Sequence, residues 1–186
     1  MEFEEIINHQ RQSYIKQLKA FYADRTDGAR EILMALNGEE ETLLFKLTRL
    51  DYLVKVDGEF KIEELSPDTY SNHSPISFTY GQLQVELNPF FWHGCEFIID
   101  KKDDDIDWLR TWTKIWIDEE DKFQTDIDGF AGAIHNVSFP TTEQQTVKFT
   151  VDFGTASTEV FMNLINCIKD TGTKRLIINS FDLLNE

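Results

Sequence analysis

His93 and Cys95 are the closest pair of soft metal ligands in the sequence, an imidazole and a thiol separated by one glycine. The two side chains could chelate the same ion, but a tetrahedral zinc site needs further ligands from the protein. The remaining histidines and the second cysteine are scattered and form no second close pair: His9, His73, His135 and Cys167. We therefore predict no metal site and no cofactor.

Cys95 could instead act as a nucleophile, with His93 or His135 as its base. A reactive cysteine needs a neighbouring positive charge or a helix N-terminus that lowers the pKa of its thiol. Neither flanks Cys95, and the adjacent Glu96 disfavours the thiolate. Cys95 is therefore expected to be a buried cysteine in a strand, and no catalytic residue is predicted.

The segment around Asp126, Asp128 and Gly129 resembles part of a calcium-binding loop. When Gly129 is aligned with the glycine of such a loop, Gln124 and His135 occupy the first and last ligand positions. A calcium loop needs carboxylate oxygens there, and above all a bidentate glutamate at the last position. No calcium site is predicted in this segment.

Asp100 and Asp152 end two strands that are predicted at equivalent places in the chain, which suggests an acid–base pair. The two strands are expected to be antiparallel neighbours, so their C-terminal ends lie at opposite edges of the sheet. We expect the two carboxylates to be too far apart to act on one bond.

Four polar residues suggest an alternative function, a small enzyme or a small-molecule-binding domain. They would line a pocket between the sheet and the N-terminal helices: His93, Glu96, His135 and Asn136. No spacing in the sequence connects these residues with one reaction. No P-loop, GxGxxG, HExxH or GxSxG pattern is present either.

Acidic residues are the most prominent chemical feature of the chain, whose formal net charge is −16 at pH 7. Between Asp100 and Asp128, eleven acidic residues stand against five basic ones. Several of them follow a helix predicted over 103–118, where negative charge is unfavourable to the helix C-terminus. Either this segment is a solvated loop, or it is a binding site for a cationic partner. The predicted partner-binding residues are Asp118, Glu119, Glu120, Asp121, Asp126 and Asp128.

The charge and the apolar pattern exclude several classes of protein. A protein that binds the DNA or RNA backbone needs a basic surface, so direct nucleic-acid binding is not expected. No apolar run reaches the roughly 18–20 residues of a membrane span, and the acidic N-terminus is the reverse of a secretory signal. Two cysteines are too few for a disulfide scaffold. We expect a cytoplasmic protein without membrane contact.

In composition and charge, the chain is similar to small acidic proteins that neutralise basic toxic enzymes, such as the immunity proteins of bacterial toxin systems. The resemblance implies a non-enzymatic interaction module, immunity- or inhibitor-like, that docks on a basic protein partner. Acidic surfaces of this kind speed association with a basic partner through electrostatic steering.

Residues 1–75 are predicted to form N-terminal helices plus a β-hairpin, packed on the main domain. Apolar residues at helical spacing predict a long amphipathic helix over 2–24 and a short second helix over 29–36. Asp57 and Gly58, between two alternating segments, predict a type I′ hairpin. The apolar seam of the first helix could pack within the chain or against a second copy in a homodimer.

Residues 76–186 are predicted to form an α+β domain with an internal repeat. Its two copies, about 96–118 and 148–170, are related by an offset that places Phe97 on Phe149. Each copy reads as a strand, a helix and a following strand, which gives the order β-α-β-β-α-β. This is the order of a ferredoxin-like unit, an antiparallel sheet with two helices on one face. That architecture hosts many unrelated functions and implies no activity.

The remaining segments of the second half are predicted from alternation and turn residues. Residues 78–80 and 83–87 are expected to be extended, and 130–139 and 176–181 are expected to be strands. The turn-rich segment 66–75 is the predicted linker between the two halves.

Overall fold

The computed structural model describes residues 3–37, 42–67, 72–100, 105–125, 129–143 and 145–180. This part of the chain has a mixed α+β fold with three helices, a three-stranded sheet and a seven-stranded sheet. None of the helices in these ranges combines the length and the apolar character that crossing a membrane requires.

Helix α1 spans Phe3–Ala23 and confirms the long helix predicted at the N-terminus. Its apolar face lies against the core, with Leu18 fully buried. At one end of the helix, the ring of Phe3 packs 4.6 Å from that of Phe78 in the large sheet. At the other end, Tyr22 lies in ring contact with Tyr52 in the small sheet. The apolar seam of α1 is therefore occupied within the chain.

The small sheet is antiparallel, and its three strands follow chain order: β1 (Ala29–Ala35), β2 (Leu47–Val56) and β3 (Glu59–Glu63). The predicted hairpin between β2 and β3 is confirmed. Asp57 and Gly58 both have positive φ, 52° and 91°, as a type I′ turn requires.

The helix predicted over 29–36 is wrong, because this segment forms strand β1. Its pairing with β2 extends from the Ala29–Leu53 pair to the Ala35–Leu47 pair. Helix propensity is a weak preference, worth tenths of a kcal/mol per residue, and tertiary context overrides it routinely. Here the backbone hydrogen bonds to β2 decide the conformation.

The large sheet consists of seven strands: β4 (Ile76–Tyr80), β5 (Leu83–Leu87), β6 (Cys95–Asp100), β7 (Asn136–Val137), β8 (Thr141–Glu143), β9 (Thr146–Asp152) and β10 (Arg175–Ser180). Six of them lie in the order β4-β5-β10-β6-β9-β7, and β8 also pairs with β9. Strand β10 is parallel to β5, whereas the other pairs are antiparallel.

Two helices cover the large sheet: α2 (Asp107–Trp116) and α3 (Thr158–Asp170). Trp108 of α2 lies 6.1 Å from the ring of Phe149, and Phe161 of α3 lies 5.8 Å from the ring of Phe97. Phe97 and Phe149 are cross-strand partners whose rings stack at 5.3 Å. Both helices therefore pack on the same face of β6 and β9.

Helix α2 is shorter than the predicted helix over 103–118, and residues 101–104 lie outside the described ranges. Its predicted apolar face is only partly buried. Leu109 and Trp112 lie in the core, but the side chain of Ile115 is 55% exposed. The C-terminal end of α2 thus presents an apolar side chain at the surface.

The strand predicted over 130–139 is mostly a loop, and only Asn136–Val137 (β7) pairs with β9 as a strand. Gly132, with a φ of 71°, turns the backbone away from an extended course. The N–H of Ala131 donates to the carboxylate of Glu31 instead of a neighbouring strand. This loop therefore encloses a buried charge.

Candidate functional site

His135 is surrounded by three carboxylates at the junction of the two sheets. Its Nδ1 lies 3.5 Å from Asp51 Oδ1 and 3.7 Å from Asp152 Oδ2, and its Nε2 lies 3.8 Å from Glu31 Oε1. The side chains of His135, Asp51 and Glu31 are almost completely buried, and that of Asp152 is 21% exposed. We call these four residues the His135 cluster.

Separate parts of the chain supply the His135 cluster. Glu31 of β1 and Asp51 of β2 lie in the small sheet, between the Arg30–Tyr52 and Ile32–Leu50 pairs of the register. Asp152 ends β9 in the large sheet, and its carbonyl oxygen accepts a 2.8 Å hydrogen bond from the N–H of His135. The cluster therefore joins the small sheet to the large one.

Glu31 is held through its carboxylate by two hydrogen bonds. Its carboxylate accepts from the N–H of Ala131 at 2.7 Å and from the hydroxyl of Thr155. Its φ of 49° is rare for a residue other than glycine. Burial alone would raise the pKa of Glu31, but His135 and these hydrogen bonds outweigh burial and lower the pKa.

Asp51 attaches helix α1 and the chain after β3 to the cluster. The N–H of Leu65 donates to Asp51 Oδ2 at 2.7 Å, and the hydroxyl of Tyr14 lies 3.4 Å from Oδ1. The hydroxyl of Tyr22 donates to the carbonyl oxygen of Asp51 at 2.9 Å. Both tyrosines belong to α1, so the helix is fixed by polar contacts as well as by apolar packing.

The charge of His135 follows from its neighbours. Burial alone would lower its pKa, but the charges of Asp152, Asp51 and Glu31 outweigh burial and raise the pKa to about 9. Burial raises the pKa of Asp152 to about 6. At pH 7 the cluster therefore contains an imidazolium ion that offsets part of the negative charge of its carboxylates.

Gly154 makes room for the His135 ring. A Cβ atom at Gly154 would overlap the imidazole, and the φ of 45° already favours glycine there. The N–H of Gly154 donates to Asp152 Oδ1 at 2.9 Å, and its carbonyl oxygen accepts from Trp92 Nε1 at 3.0 Å. The close approach of backbone and ring fixes the position of His135.

Arg49 is a second buried charge, and it binds the end of helix α2. Its Nε donates to the carbonyl oxygen of Ile117 at 3.0 Å. Its Nη2 donates to Asp118 O at 3.3 Å and to Asp121 Oδ1 at 2.9 Å, although the Arg49 side chain is only 2% exposed. We call residues 118–121 the acidic turn. The arginine thus supplies the positive charge that a helix C-terminus favours.

Arg49 also connects the acidic turn with the His135 cluster. Its N–H donates to the carbonyl oxygen of His135, and its Nη1 donates to the carbonyl oxygen of Glu31, both at 2.9 Å. One continuous polar network therefore extends from the junction of the two sheets to the surface beyond α2.

The structure explains why acidic residues follow this helix. Asp118 is buried beside Arg49, and its carboxylate accepts hydrogen bonds from the N–H groups of Lys122 and Phe123 at 2.9 and 2.8 Å. It caps the turn after α2 instead of facing solvent. Neither the solvated loop nor the cationic partner of the sequence analysis is needed to account for Asp118.

The other predicted partner-binding residues of the acidic turn lie at the surface. Glu119 is 3.9 Å from Lys114 Nζ, and Glu120 pairs with Lys122. Asp121, whose side chain is 71% exposed, combines its contact to Arg49 with access to solvent. Two predicted residues lie outside the described ranges: Asp126 and Asp128.

The four predicted pocket residues make different contacts. His93 lies near the His135 cluster, because its ring stacks at 6.1 Å on Tyr14, which contacts Asp51. Burial lowers the pKa of His93 to about 4, so its imidazole is neutral at pH 7.

The remaining two pocket residues have other partners. Glu96 lies 3.8 Å from Lys148 Nζ, and Asn136 Nδ2 lies 3.4 Å from the hydroxyl of Thr48. The structure thus brings His93 and His135 towards one another and places Glu96 and Asn136 in separate contacts.

Cys95 and the carboxylate pair lie where the sequence places them. Cys95 is fully buried in β6, and burial raises the pKa of its thiol. Asp100 pairs with Thr146 at the start of β9, whereas Asp152 ends that strand. Within the described ranges, no group of three or more potential ligands is arranged to hold a metal ion.

Three charged residues of the network were missed by the sequence analysis: Glu31, Arg49 and Asp51. The available signal was the Arg49-Leu50-Asp51 segment in β2, where charges flank an apolar residue within a strand. Charged residues are rarely buried unless they are paired, so a buried strand of this composition indicates internal ion pairs.

The first prediction concerns the stability of the protein between pH 7 and about 9.5. A raised histidine pKa contributes stability that is complete below the unfolded pKa, near 6.5, and is lost as pH rises through about 9. We expect the free energy of unfolding to fall by roughly 2 kcal/mol over this interval, measured by urea denaturation. His135→Asn should remove the histidine's part of this slope, and His9→Asn, at an exposed histidine, should retain the full slope. A pH-independent stability of the wild-type protein contradicts the prediction.

The second prediction concerns Arg49. Arg49→Ala leaves the Asp118 carboxylate and three carbonyl groups buried without their arginine partner, so we expect a loss of about 3–5 kcal/mol in the free energy of unfolding. Arg49→Lys should lose less, because the charge remains although one ammonium cannot reach every acceptor. Lys114→Ala, which removes an exposed ion pair, should change stability by no more than about 1 kcal/mol. Equal losses for the two alanine variants would refute the buried role of Arg49.

The third prediction uses two glycines with positive φ. Gly172→Ala adds a Cβ in open space at a φ of 81°, so we expect a loss of roughly 1 kcal/mol from backbone strain alone. In Gly154→Ala the new Cβ atom also overlaps the His135 ring, so we expect a loss of roughly 2–4 kcal/mol in the free energy of unfolding. Thermal and urea unfolding of both variants give the comparison, and similar losses would show that His135 tolerates displacement.

The chain matches no protein-family model, no curated protein and no solved structure. Its function must therefore be argued from the geometry, burial and charge of the described residues.

Proposed function

We propose that this protein is a non-enzymatic interaction module, immunity- or inhibitor-like, that docks on a basic protein partner. The proposed docking surface is the acidic turn together with the two exposed apolar side chains beside it, Ile115 and Phe123. The net charge of −16 supports a basic partner, because it favours encounter with positive surfaces over long distances.

The observation that carries the proposal is the exposure of Ile115 and Phe123 next to the acidic turn. Their side chains are 55% and 37% exposed, and with Glu119 and Glu120 they border a surface depression of about 310 Å³. Apolar side chains enclosed by a charged rim are typical of protein–protein interfaces, where a few such residues contribute most of the binding energy.

The rigidity of the acidic turn supports the same proposal. The guanidinium of Arg49 donates hydrogen bonds to Ile117, Asp118 and Asp121. The turn is therefore ordered before any partner binds. A preformed surface loses less conformational entropy on binding than a mobile loop does. The exposed carboxylate of Glu120, 66% accessible, remains available to an arginine or lysine of the partner that competes with Lys122.

We also propose that strands β6, β7, β9 and β10 with helices α2 and α3 form a ferredoxin-like unit. The spatial order β10-β6-β9-β7, the antiparallel pairing and the two helices on one face support it. The fold class does not select a function. Location in the cytoplasm likewise remains a prediction from the sequence.

A second candidate function, a small enzyme or small-molecule-binding domain, has one observation in its favour. Titratable groups with shifted pKa values meet near α1, His135 and Asp152 among them. The His135 side chain is 2% exposed, however, and the carboxylates around it are engaged by groups of the chain itself. Such a network is typical of a structural ion cluster, so we favour the interaction module.

The fourth prediction tests the docking surface by affinity capture from the source-cell lysate at low and high salt. The wild-type chain should retain a basic protein at low salt and lose much of it at high salt. Glu119→Lys combined with Glu120→Lys should lose that protein at both salt concentrations. Ile115→Ser should weaken retention at both, because the apolar contact does not depend on salt.

The matched control is a double variant with the same change of charge on other surfaces, Glu143→Lys with Asp170→Lys. Both residues are exposed in the described structure. The control should retain the partner seen with the wild-type chain. If both double variants lose the captured partner equally, the interaction depends on net charge and not on this surface. If the Glu119/Glu120 variant captures as much partner as the wild-type chain, the proposed docking surface is rejected.

A further inference from the structure

Strand β3 leaves one edge of the small sheet open. Within the described ranges, β3 pairs with β2 on one side and with no strand on the other. The outward N–H and C=O groups of an edge strand are a template for a further strand, and proteins usually protect such edges. The exposed edge of Glu59–Glu63 therefore requires an explanation.

Phe60 and Ile62 make this edge apolar on one face. Their side chains are 71% and 49% exposed, and their spacing of two residues places them on the same face of the strand. Together with Ile115 and Phe123, they are the large hydrophobic side chains exposed in the described part of the chain. Phe60 and Ile62 belong to the small sheet and are separate from the acidic turn.

The charges of β3 are complementary to a second copy of the same strand. Glu59, Lys61 and Glu63 alternate with the two apolar residues. In an antiparallel pair with Phe60 opposite Phe60, Lys61 of each copy faces Glu59 of the other within the overlap of the two strands, residues 59–61. Glu63 then lies opposite Asp57 of the turn, outside this overlap. A lysine in an edge strand usually discourages pairing with another strand. In this sequence, Lys61 would face Lys61 of the second copy only in a register centred on Lys61.

We propose that β3 pairs with β3 of a second copy of this chain, antiparallel and centred on Phe60, to form a homodimer. The pairing joins the two small sheets into one continuous six-stranded sheet. It brings two aromatic rings together and creates two cross-strand Glu–Lys pairs, both of which stabilise antiparallel strands. The dimer is independent of the docking surface around the acidic turn.

The net charge sets the salt dependence of this dimer. Two copies of the chain, each with a net charge of −16, repel one another over long distances. This repulsion weakens with added salt, because the electrostatic screening length shortens from about 10 Å at 0.1 M salt to about 3 Å at 1 M. The dimer should therefore strengthen with added salt. Docking on a basic partner weakens with added salt, so the failure of one proposal is distinguishable from the failure of the other.

The fifth prediction is tested by sedimentation velocity over a range of protein concentrations at moderate and high salt. The wild-type chain should form a reversible dimer. Lys61→Glu and Glu59→Lys should each weaken the dimer at least about tenfold, because like charges then face each other twice. An equimolar mixture of the two variants should dimerise again, because every cross-strand pair is then a Glu–Lys pair.

Two exposed residues outside β3 supply the charge-matched controls. Lys16→Glu repeats the charge change of Lys61→Glu on helix α1, and Glu143→Lys repeats that of Glu59→Lys on β8. Both controls should dimerise like the wild-type chain. Circular dichroism of each variant checks that the fold is retained.

Three results would overturn the proposal. The first is a wild-type chain that stays monomeric at every concentration and salt tested. The second is a wild-type dimer that the β3 variants do not weaken, which would place the interface elsewhere. The third is a mixture of Lys61→Glu and Glu59→Lys that dimerises no better than either variant alone, which would reject the register centred on Phe60.

Discussion

The imidazolium of His135 lies within 4 Å of three carboxylates that come from two different sheets. Removing ions from water is costly, and a buried ion without its partner destabilises a protein by several kcal/mol. Glu31 and Asp51 can therefore stay buried in the small sheet only while a positive charge lies between them and Asp152. The packing of the small sheet on the large one depends on this balance.

Arg49 extends the same constraint to the surface. Its backbone N–H donates to the carbonyl oxygen of His135. Its guanidinium binds the carbonyl oxygen of Glu31 and the carbonyl and carboxylate oxygens that follow helix α2. Without it, the acidic turn would add negative charge to the negative end of a helix dipole. The buried network thus accounts for a rigid acidic surface, the feature that a basic partner would recognise.

Local patterns in the sequence predicted much of the fold. The spacing of Leu18 and its neighbours predicted α1, and Asp57-Gly58 predicted the hairpin, because both signals lie within a few residues. Strand β1 was mistaken for a helix, since only its pairing with β2 makes it extended. The His135 cluster could not be predicted, because residues 31, 51, 135 and 152 meet only through the tertiary fold. His135 itself was singled out, together with the nearby His93, but without its carboxylate neighbours.

An NMR titration of the His135 ring tests the buried imidazolium directly. The resonances of the ring are assigned by their loss in a His135 variant. The ¹⁵N shifts of the imidazole distinguish the imidazolium from the neutral tautomers. We expect an imidazolium with both nitrogens protonated at pH 7 and a midpoint near 9, alongside a neutral His93 at pH 7. A neutral His135 ring at pH 7 in the folded protein would contradict this expectation, because the three carboxylates would then be buried without their counter-ion.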